Sequence, residues 1–362
     1  MSKIEYKKLC EIVQTVKAPV KLKTEEYQLV GSYLIIDQGK DFQAGFTDDE
    51  SALLPFGEYI LYGDHTLSVK YFKGRFAQGA DGLKILKCKE GINKYIYYAL
   101  CTFNLHSTEY KRHWTQVKQI EIPLPPLSIQ QEIVSVLDSF TTLIDKMKKE
   151  VEMRKKQMEC YRERLMSPKE GWTVKTLGEI GTFTRGSGLQ KSDLRDAGFP
   201  CIHYGQIHTF YNFAAYKTKS FCDENYAKKL KKGKTGDLLI ATTSEDVEAC
   251  CKAVAWLGDS EVAYSTDSYC YSHDQDPKYM AYLFQTEMFA KQKRMAATGA
   301  KVVRVSGEAM ATFSFALPPL SKQREIARTL DIFEEYIQRL EKLISLRQKQ
   351  YEYYREKLLT FE

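Results

Sequence analysis

A 44-residue segment occurs twice in this chain of 362 residues, at positions 124–167 and 317–360. The copies align without a gap at an offset of 193, and 21 of their 44 positions are identical. Solenoid folds stack adjacent repeats, whereas about 150 residues separate these two copies. The sequence therefore predicts one duplicated module within a larger architecture.

Each copy is predicted to form a single long helix. Proline pairs at 125–126 and 318–319 force an extended approach, because proline and the residue before it resist the helical conformation. Ser128 and Ser321 follow these prolines, where an N-cap is expected. From that serine to the last apolar position, each helix has about 38 residues, which corresponds to roughly 57 Å at 1.5 Å per residue.

Apolar residues in both copies recur in alternating steps of four and three, which is the spacing of a coiled-coil seam. A narrow seam on an otherwise polar helix favours one partner helix over a broad core. The expected partner is the other copy, and separate packing of each helix on its own domain is the alternative. The predicted interface residues are Ile133, Leu137, Phe140, Ile144, Ile326, Leu330, Phe333, Ile337 and Leu340.

One arginine interrupts the seam in each copy, and it indicates the direction of pairing. In a parallel, in-register pair Arg154 would face Arg347, so two like charges would lose solvation together. In the antiparallel register that matches Ile133 with Leu358, each arginine faces an isoleucine and extends its guanidinium group to water. We therefore expect an antiparallel coiled coil with pseudo-twofold symmetry, while other registers stay open.

The two remaining stretches of the chain precede one helix each. Both contain short apolar runs, typical of strands, between Gly and Asp residues, and both contain a helical pattern, which in the second stretch covers 277–297. The fold class is α+β, with two mixed α/β domains joined by the two long helices. The predicted domain boundaries are 1–122, 123–167, 168–316 and 317–362.

Composition excludes several classes of protein. No run of about 18 apolar residues occurs, so no membrane span is expected. The N-terminus carries charges where a signal peptide needs an apolar core, and the nine cysteines are irregularly spaced, so we expect a cytoplasmic protein with reduced thiols. The net charge of +6 is spread evenly, which permits an acidic partner such as nucleic acid without arguing for it.

No motif supports catalysis. The run at 233–235 resembles the end of a phosphate-binding loop, but Lys228 stands where that motif needs its first glycine. The run at 276–279 lacks the second proline of the amino-methyltransferase motif, and the cysteines show no zinc-ligand spacing. We therefore expect a chain that binds no metal or cofactor itself.

Polar and aromatic residues on predicted loops are the candidate DNA contacts. Arg, Gln and His can read base edges, and Lys, Ser and Thr commonly hold phosphates, although loops are polar in most proteins. The first stretch supplies Asp64, His65, Arg75, Gln78, Lys111 and Arg112. The second stretch supplies Arg185, Tyr204, Gln206, His208, Thr243, Ser244, Glu245, Lys301 and Arg304. Tyr110 and Ala300 belong to the same predicted loops.

The sequence resembles the specificity subunits of type I restriction–modification systems. The pattern LPPL-S-x-Q-x-E-I-x-x-x-L-D-x-F at 124–140 and 317–333 carries the resemblance, with the helix endings YRERL and YREKL. The segments 62–86, 236–246 and 298–306 look like that family's target-recognition domains. The first stretch departs from the second, since it is shorter and has YKRHW where the second has TGAKVVR.

The resemblance implies a non-catalytic reader of DNA that serves in defence against phage. Each target-recognition domain would bind one half of a bipartite site in double-stranded DNA, with half-site centres about 10 base pairs apart, and the spacer helices would set the gap. The implied partners are two methyltransferase subunits carrying S-adenosylmethionine, and restriction subunits that use ATP and Mg. Other classes are a coiled-coil scaffold joining two protein-binding domains, and a self-sufficient methyltransferase or nuclease.

Overall fold

Two helices of 40 residues each run through the structure, a computed structural model that describes residues 4–103, 111–299 and 301–361. The chain divides into two units. The first unit comprises Met1–Lys149 and Glu341–Glu362, and the second comprises Glu150–Leu340. Both boundaries fall within the long helices, so each helix contributes residues to both units.

Eleven helices lie in the described residues, with single 3₁₀ turns at Thr24–Glu26, Glu50–Ala52 and Lys191–Asp193. They are α1 (Leu9–Ile12), α2 (Asn93–Leu100), α3 (Trp114–Val117), α4 (Leu127–Met166), α5 (Leu177–Ile180), α6 (Tyr204–Thr209), α7 (Glu224–Ala227), α8 (Pro277–Leu283), α9 (Glu287–Ala296), α10 (Gly307–Ala311) and α11 (Leu320–Leu359). Among these described helices, none is both long and apolar enough to cross a membrane.

The strands of the first unit are β1 (Glu5–Lys8), β2 (Val13–Val16), β3 (Tyr33–Ile36), β4 (Gly45–Thr47), β5 (Gly57–Gly63), β6 (Val69–Gly74), β7 (Ala77–Gln78), β8 (Leu83–Cys88) and β9 (Glu121–Leu124). Those of the second unit are β10 (Thr173–Thr176), β11 (Gly181–Arg185), β12 (Phe199–Ile202), β13 (Ala214–Ala215), β14 (Ser220–Cys222), β15 (Lys232–Gly233), β16 (Leu238–Ala241), β17 (Thr243–Ser244), β18 (Lys252–Trp256), β19 (Val262–Tyr264), β20 (Ser268–His273), β21 (Val303–Arg304) and β22 (Ser314–Leu317).

The two units share one sheet topology. The order β2-β8-β5-β6 in the first unit corresponds to β11-β20-β16-β18 in the second, where β13 is added at the edge. The order β4-β3-β7 corresponds to β14-β12-β19, to which β15 is added at the edge, and the pairs β3–β7 and β12–β19 are both parallel. Mixed helices and sheets with two long helices confirm the α+β class, and the common order extends the duplication from the helices to the globular parts.

The long helices begin earlier than the sequence predicts. Each starts directly after its proline pair, and the carbonyl of the second proline accepts a hydrogen bond from the amide four residues on, at 3.0 Å in both copies. Ser128 and Ser321 therefore lie inside the first turn, and their prediction as N-caps is wrong. The proline carbonyl already serves the first turn, so no serine side chain is needed there.

The helical pattern at 277–297 forms two helices instead of the single one predicted. Helix α8 ends at Leu283, and α9 begins at Glu287. The Thr286 side chain accepts a hydrogen bond from the Phe289 amide at 3.3 Å and so caps α9. An N-cap threonine inside an otherwise periodic run restarts the helix in a new direction, which apolar spacing alone does not reveal.

The seam residues belong to the domain cores as well as to the helix pair. In the first unit, Ile133 and Leu137 of α4 share one buried cluster with Ile12 of the globular part and with Tyr351 and Leu359 of α11. Packing on the domain and packing on the other long helix, weighed above as alternatives, therefore occur together in this unit.

The two long helices contact each other within each unit through one repeated aromatic pair. In the first unit Phe140 of α4 stacks on Tyr354 of α11, with ring centres 5.5 Å apart. In the second unit Tyr161 of α4 contacts Phe333 of α11, with ring centres 5.2 Å apart. The repeat relates Phe140 to Phe333 and Tyr161 to Tyr354, so the same contact is made twice.

A buried glutamine fastens each long helix to its own domain. Gln130 accepts a hydrogen bond from the Ile92 amide at 3.0 Å and donates one to the Pro125 carbonyl at 2.9 Å. Gln323 accepts one from the Asp276 amide at 3.0 Å and donates one to its own proline carbonyl at 2.9 Å. This glutamine is the Q of the repeated S-x-Q pattern, so the repeat has a structural purpose at this position.

An aspartate about two helical turns after the glutamine makes a second attachment to the domain. Asp138 accepts hydrogen bonds from the Tyr98 hydroxyl at 2.6 Å and from Lys94 Nζ at 2.7 Å. Asp331 accepts the equivalent bonds from Tyr282 at 2.9 Å and from Lys278 at 2.8 Å. The donors lie on α2 and α8, so the same helix in each unit is held to the long helix by the same three side chains.

Removing the buried glutamine should destabilise the unit that contains it. Replacing Gln130 or Gln323 with Ala leaves a buried amide and a buried carbonyl without partners, which costs about 1–3 kcal/mol of unfolding free energy. Urea unfolding followed by circular dichroism measures this loss. The matched control is Gln131→Ala, because Gln131 is the exposed neighbour on the same helix. Equal losses in the Gln130 and Gln131 variants would contradict the assignment.

Candidate nucleic-acid interface

A cavity of about 730 Å³ in the second unit gathers a third of the residues predicted to contact DNA. Those on its lining are Tyr204, His208, Thr243, Ser244 and Glu245. Helix α6, strand β17 and helix α9 form part of the wall, together with the segment 245–252. The lining carries carboxylates and ammonium groups beside apolar side chains, so the cavity offers both hydrogen-bonding groups and apolar contact surface.

Helix α6 carries three of the predicted contacts, and its start is fixed by a histidine. His203 Nδ1 accepts a hydrogen bond from the Gly205 amide at 3.2 Å. The Tyr204 amide donates to Ser265 Oγ at 2.8 Å, and Gln206 Nε2 donates to Ser220 Oγ at 2.7 Å. Strand β12 ends at Ile202, and helix α6 begins two residues later at Tyr204.

A short two-stranded ribbon joins the other predicted contacts of this unit. Strand β17 pairs with β21, so that Thr243 lies opposite Arg304. His208 Nε2 donates to the Thr243 carbonyl at 3.0 Å, which ties α6 to the ribbon. Lys301 and Arg304 are exposed, and exposed Arg185 on β11 donates through Nε to the Thr266 carbonyl at 3.4 Å.

Two lysines at the cavity were not singled out by the sequence analysis. Lys293 is 4% exposed and donates to the carbonyls of Glu248 and Cys250 at 2.8 and 3.0 Å. Lys252 donates to the His208 carbonyl at 3.2 Å, and its burial lowers the pKa of its ammonium group. Lys293 sits in a helical pattern rich in charge, where a lysine normally faces solvent, so no sequence signal marked it.

In the first unit, two of the predicted contacts are buried. The Asp64 carboxylate accepts hydrogen bonds from the amides of His113 and Trp114, at 2.9 and 2.7 Å. Gln78 lies in strand β7 and not on a loop, and it donates to the Leu83 carbonyl at 3.4 Å. Burial with internal partners favours a structural role for both side chains.

The other first-unit candidates fall into two groups. The hydrogen bonds of Asp64 bring it, with neighbouring His65, close to the segment of exposed Lys111 and Arg112. Arg75 lies instead against the Tyr33 ring, 5.5 Å from its centre, and pairs with Glu50. Tyr110 and Ala300 lie outside the described residues. In the described part of the chain, no group of three or more His, Cys, Asp or Glu side chains is arranged to hold a metal ion.

Comparison with protein-family models decides the family. The model described as "Type I restriction modification DNA specificity domain" matches residues 1–153 and 169–347, which is most of the chain. The chain belongs to this family. The prediction of a type I specificity subunit is therefore confirmed, and the scaffold of two protein-binding domains and the self-sufficient enzyme are not supported.

Curated relatives agree with the family. A putative type I restriction enzyme specificity subunit from Haemophilus influenzae is 27% identical over 99% of this chain and 96% of its own length. The specificity subunit of the type I restriction enzyme EcoR124I/EcoR124II from Escherichia coli is 26% identical, over 94% of this chain and 90% of its own.

Solved structures share the fold. The crystal structure of a type I restriction–modification S subunit from M. genitalium has a TM-score of 0.62 at 15% identity, with 99% of this chain and 97% of that chain covered. A second chain, from work on complex assembly and conformational transition of the type I system, has a TM-score of 0.57 at 12% identity, with 99% and 98% covered.

Acidification should loosen helix α6 of this specificity subunit through His203. Burial lowers the pKa of His203 from its ordinary 6.5, so the folded protein holds the imidazole neutral and Nδ1 free to accept from Gly205. That contribution is fully present above pH 6.5 and is lost as the pH falls through the lowered pKa. Urea midpoints at neutral pH and at about pH 5 should therefore differ more in the wild type than in His203→Asn, which keeps an acceptor without titrating. Equal differences in both proteins would refute this role.

Proposed function

We propose that each globular part of this specificity subunit binds one half of a bipartite site in double-stranded DNA. The observation that carries the proposal is the matching sheet order of the two units, each fastened to a long helix by the same Lys–Tyr–Asp contacts. A duplicated scaffold whose loops differ suits a reader of two different short sequences. The cavity and ribbon of the second unit are the proposed recognition surface of that half.

We infer that the two long helices form an antiparallel coiled coil with pseudo-twofold symmetry. Support comes from the repeated aromatic pair, in which an early residue of one helix meets a late residue of the other in each unit. The Arg154 guanidinium lies over the Tyr336 ring, 5.5 Å from its centre, and the Tyr336 hydroxyl donates to Glu150 at 2.8 Å. The arginine is thus held at the edge of the seam, which agrees with the argument for antiparallel pairing.

This coiled coil would fix the gap between the half-sites. Each helix of 40 residues is about 60 Å long, which spans more than one turn of DNA. Half-sites read from one face of the duplex lie about 10 base pairs apart, or a multiple of this, from centre to centre. A rigid spacer therefore converts helix length into a fixed count of base pairs.

The proposed partners are two methyltransferase subunits and the restriction subunits of a type I complex. The coiled coil offers exposed apolar side chains for docking, among them Ile332, Met153 and Leu346. S-Adenosylmethionine, ATP and Mg are proposed to bind those partners and not this chain. Because methylation of a base in duplex DNA requires extruding it, the bound DNA should be distorted. A cytoplasmic location belongs to the same proposal, since target and partners meet there.

Lengthening both helices by one heptad should lengthen the gap without changing the half-sites. Insertions of seven residues after Lys149 and after Leu340 keep the seam in phase and add about 10 Å, or about three base pairs at 3.4 Å each. Methylation mapping of DNA modified by the assembled complex reads both halves and the gap. A heptad inserted in α4 alone is the control, because it disturbs the pairing. Altered half-sites with an unchanged gap would refute the proposal that the helix length sets the gap.

Arg304 should contact DNA in the second half-site. Replacing Arg304 with Ala is expected to weaken DNA binding by about 1–3 kcal/mol if the side chain reads a base. If the side chain holds a phosphate, the slope of log affinity against log salt concentration should fall by about one. Binding of the full chain to its site, titrated at several salt concentrations, distinguishes the two. The control is Arg195→Ala, since Arg195 is exposed in the same unit but pairs with Asp223. Unchanged affinity and slope in Arg304→Ala would remove Arg304 from the interface.

A further inference from the structure

Two adjacent cysteines line the cavity of the second unit. The Sγ atoms of Cys250 and Cys251 lie 3.9 Å apart, and both thiols are free. Each residue is 1% exposed, so the cavity is the route by which a small reagent reaches them. Two thiols at this separation need only a modest movement to form a bond, which distinguishes them from an isolated cysteine.

The two cysteines are hydrogen-bonded to the segment that leads into the predicted DNA contacts. The Cys250 thiol donates to the Thr242 carbonyl at 3.3 Å, and the Cys251 amide donates to the Ala241 carbonyl at 2.8 Å. Thr242 immediately precedes strand β17 of the ribbon. A movement of these two cysteines would therefore act on Thr242, the residue next to Thr243.

The backbone at the pair is strained. Cys251 has a φ of +64°, in the left-handed region that side-chain-bearing residues rarely adopt. Such conformations are energetically unfavourable and persist where the surroundings enforce them, often at sites with a function. The hydrogen bonds to Ala241 and Thr242 are the surroundings that enforce this one.

The chemistry of the pair favours attack by Cys250. Its hydrogen bond with Cys251 lowers the pKa of the Cys250 thiol against the opposing effect of burial, and the nearby Lys293 charge adds to the lowering. The same hydrogen bond raises the pKa of the Cys251 thiol. Because the thiolate is the nucleophile, one sulfur is prepared to attack and its neighbour is held as a thiol to resolve the product.

We propose that Cys250 and Cys251 are a reversible oxidation site, in which a small disulfide oxidant converts the two thiols into a vicinal disulfide that loosens the β17–β21 ribbon. The Cys250 thiolate attacks one sulfur of the oxidant and releases the other half as a thiol. The Cys251 sulfur then displaces the second half and forms the Cys250–Cys251 bond. The oxidant gains two electrons and the two protons and leaves as two thiols.

Ring closure must move the backbone. The Cα atoms of neighbouring residues are about 3.8 Å apart, closer than the usual separation of about 4.4–6.8 Å in disulfides. The sulfurs must approach from 3.9 Å to about 2.05 Å, and Cys250 loses the hydrogen that it donates to Thr242. A disulfide formed under such strain is easily reduced, which makes the modification reversible.

Mass spectrometry and hydrogen exchange test the site without DNA. Oxidised glutathione should remove the mass of two hydrogens from the peptide that contains both cysteines, dithiothreitol should restore it, and amide exchange should accelerate in 242–250 and 301–305. The variant Cys250→Ser lacks the attacking sulfur and should show neither change, whereas Cys160→Ser, which lacks an exposed thiol elsewhere, should behave like the wild type. Stable glutathione adducts without the internal disulfide, or unchanged exchange after it forms, would overturn the proposal.

The expected effect of oxidation on DNA binding rests on the proposed function of the second unit. Oxidation of the full chain should weaken its binding to DNA at least about fivefold, which corresponds to about 1 kcal/mol, whereas treatment of the Cys250→Ser protein with the same oxidant should leave its affinity for DNA unchanged. Equal affinity of the oxidised and reduced chains would refute the link to recognition. Failure of the reduced chain to bind DNA would instead count against the proposed function, and the mass and exchange results would still decide the oxidation site.

Discussion

Two carboxylates, Asp138 and Asp331, fix how each long helix meets its domain. Each accepts a tyrosine hydroxyl and a lysine ammonium group from a helix of the adjacent domain, and so sets the rotation of the long helix about its own axis. Two residues further on, the phenylalanines Phe140 and Phe333 project about 200° away at 3.6 residues per turn. The anchored face therefore points to the domain while the aromatic face is left for the other long helix.

This geometry explains which residue types occupy the repeated positions. In L-D-x-F the aspartate serves the domain and the phenylalanine serves the helix pair, and the glutamine of S-x-Q serves the chain entering the helix. Charge-assisted hydrogen bonds are directional, whereas apolar packing tolerates sliding. The polar positions of the repeat thus fix where each long helix sits on its own domain, which apolar packing alone would leave open.

The sequence was sufficient for the features that depend on periodicity. The seam, the two helix lengths and the α+β class follow from spacing, because spacing reflects which face is buried. Features that depend on tertiary hydrogen bonds were missed. Asp64 and Gln78 were predicted to face DNA but are buried with internal partners, and Lys293 is buried although its helix is rich in charge. A hydrogen-bond partner that is distant in sequence cannot be recognised from the residues around a side chain.

The differences between the units lie where they leave the common framework intact. Among the residues that the structure describes, helix α9 and the β17–β21 ribbon belong to the second unit, between or beyond elements that both units possess. The cavity is lined by parts of α6, β17 and α9 and by the segment 245–252 between β17 and β18. These differences leave both the sheet order and the attachment to the long helix unchanged.

The division of the chain also bears on the order in which it folds during synthesis. The second unit is one continuous stretch, Glu150–Leu340, whereas the first combines residues from both ends of the chain. Tyr351 and Leu359 belong to the same buried cluster as Leu9 and Ile12, so that core stays incomplete until the ribosome has delivered the final helix. The N-terminal part therefore stays partly assembled until residues 341–362 have been synthesised, and a chain that stops before them would leave its apolar surface uncovered.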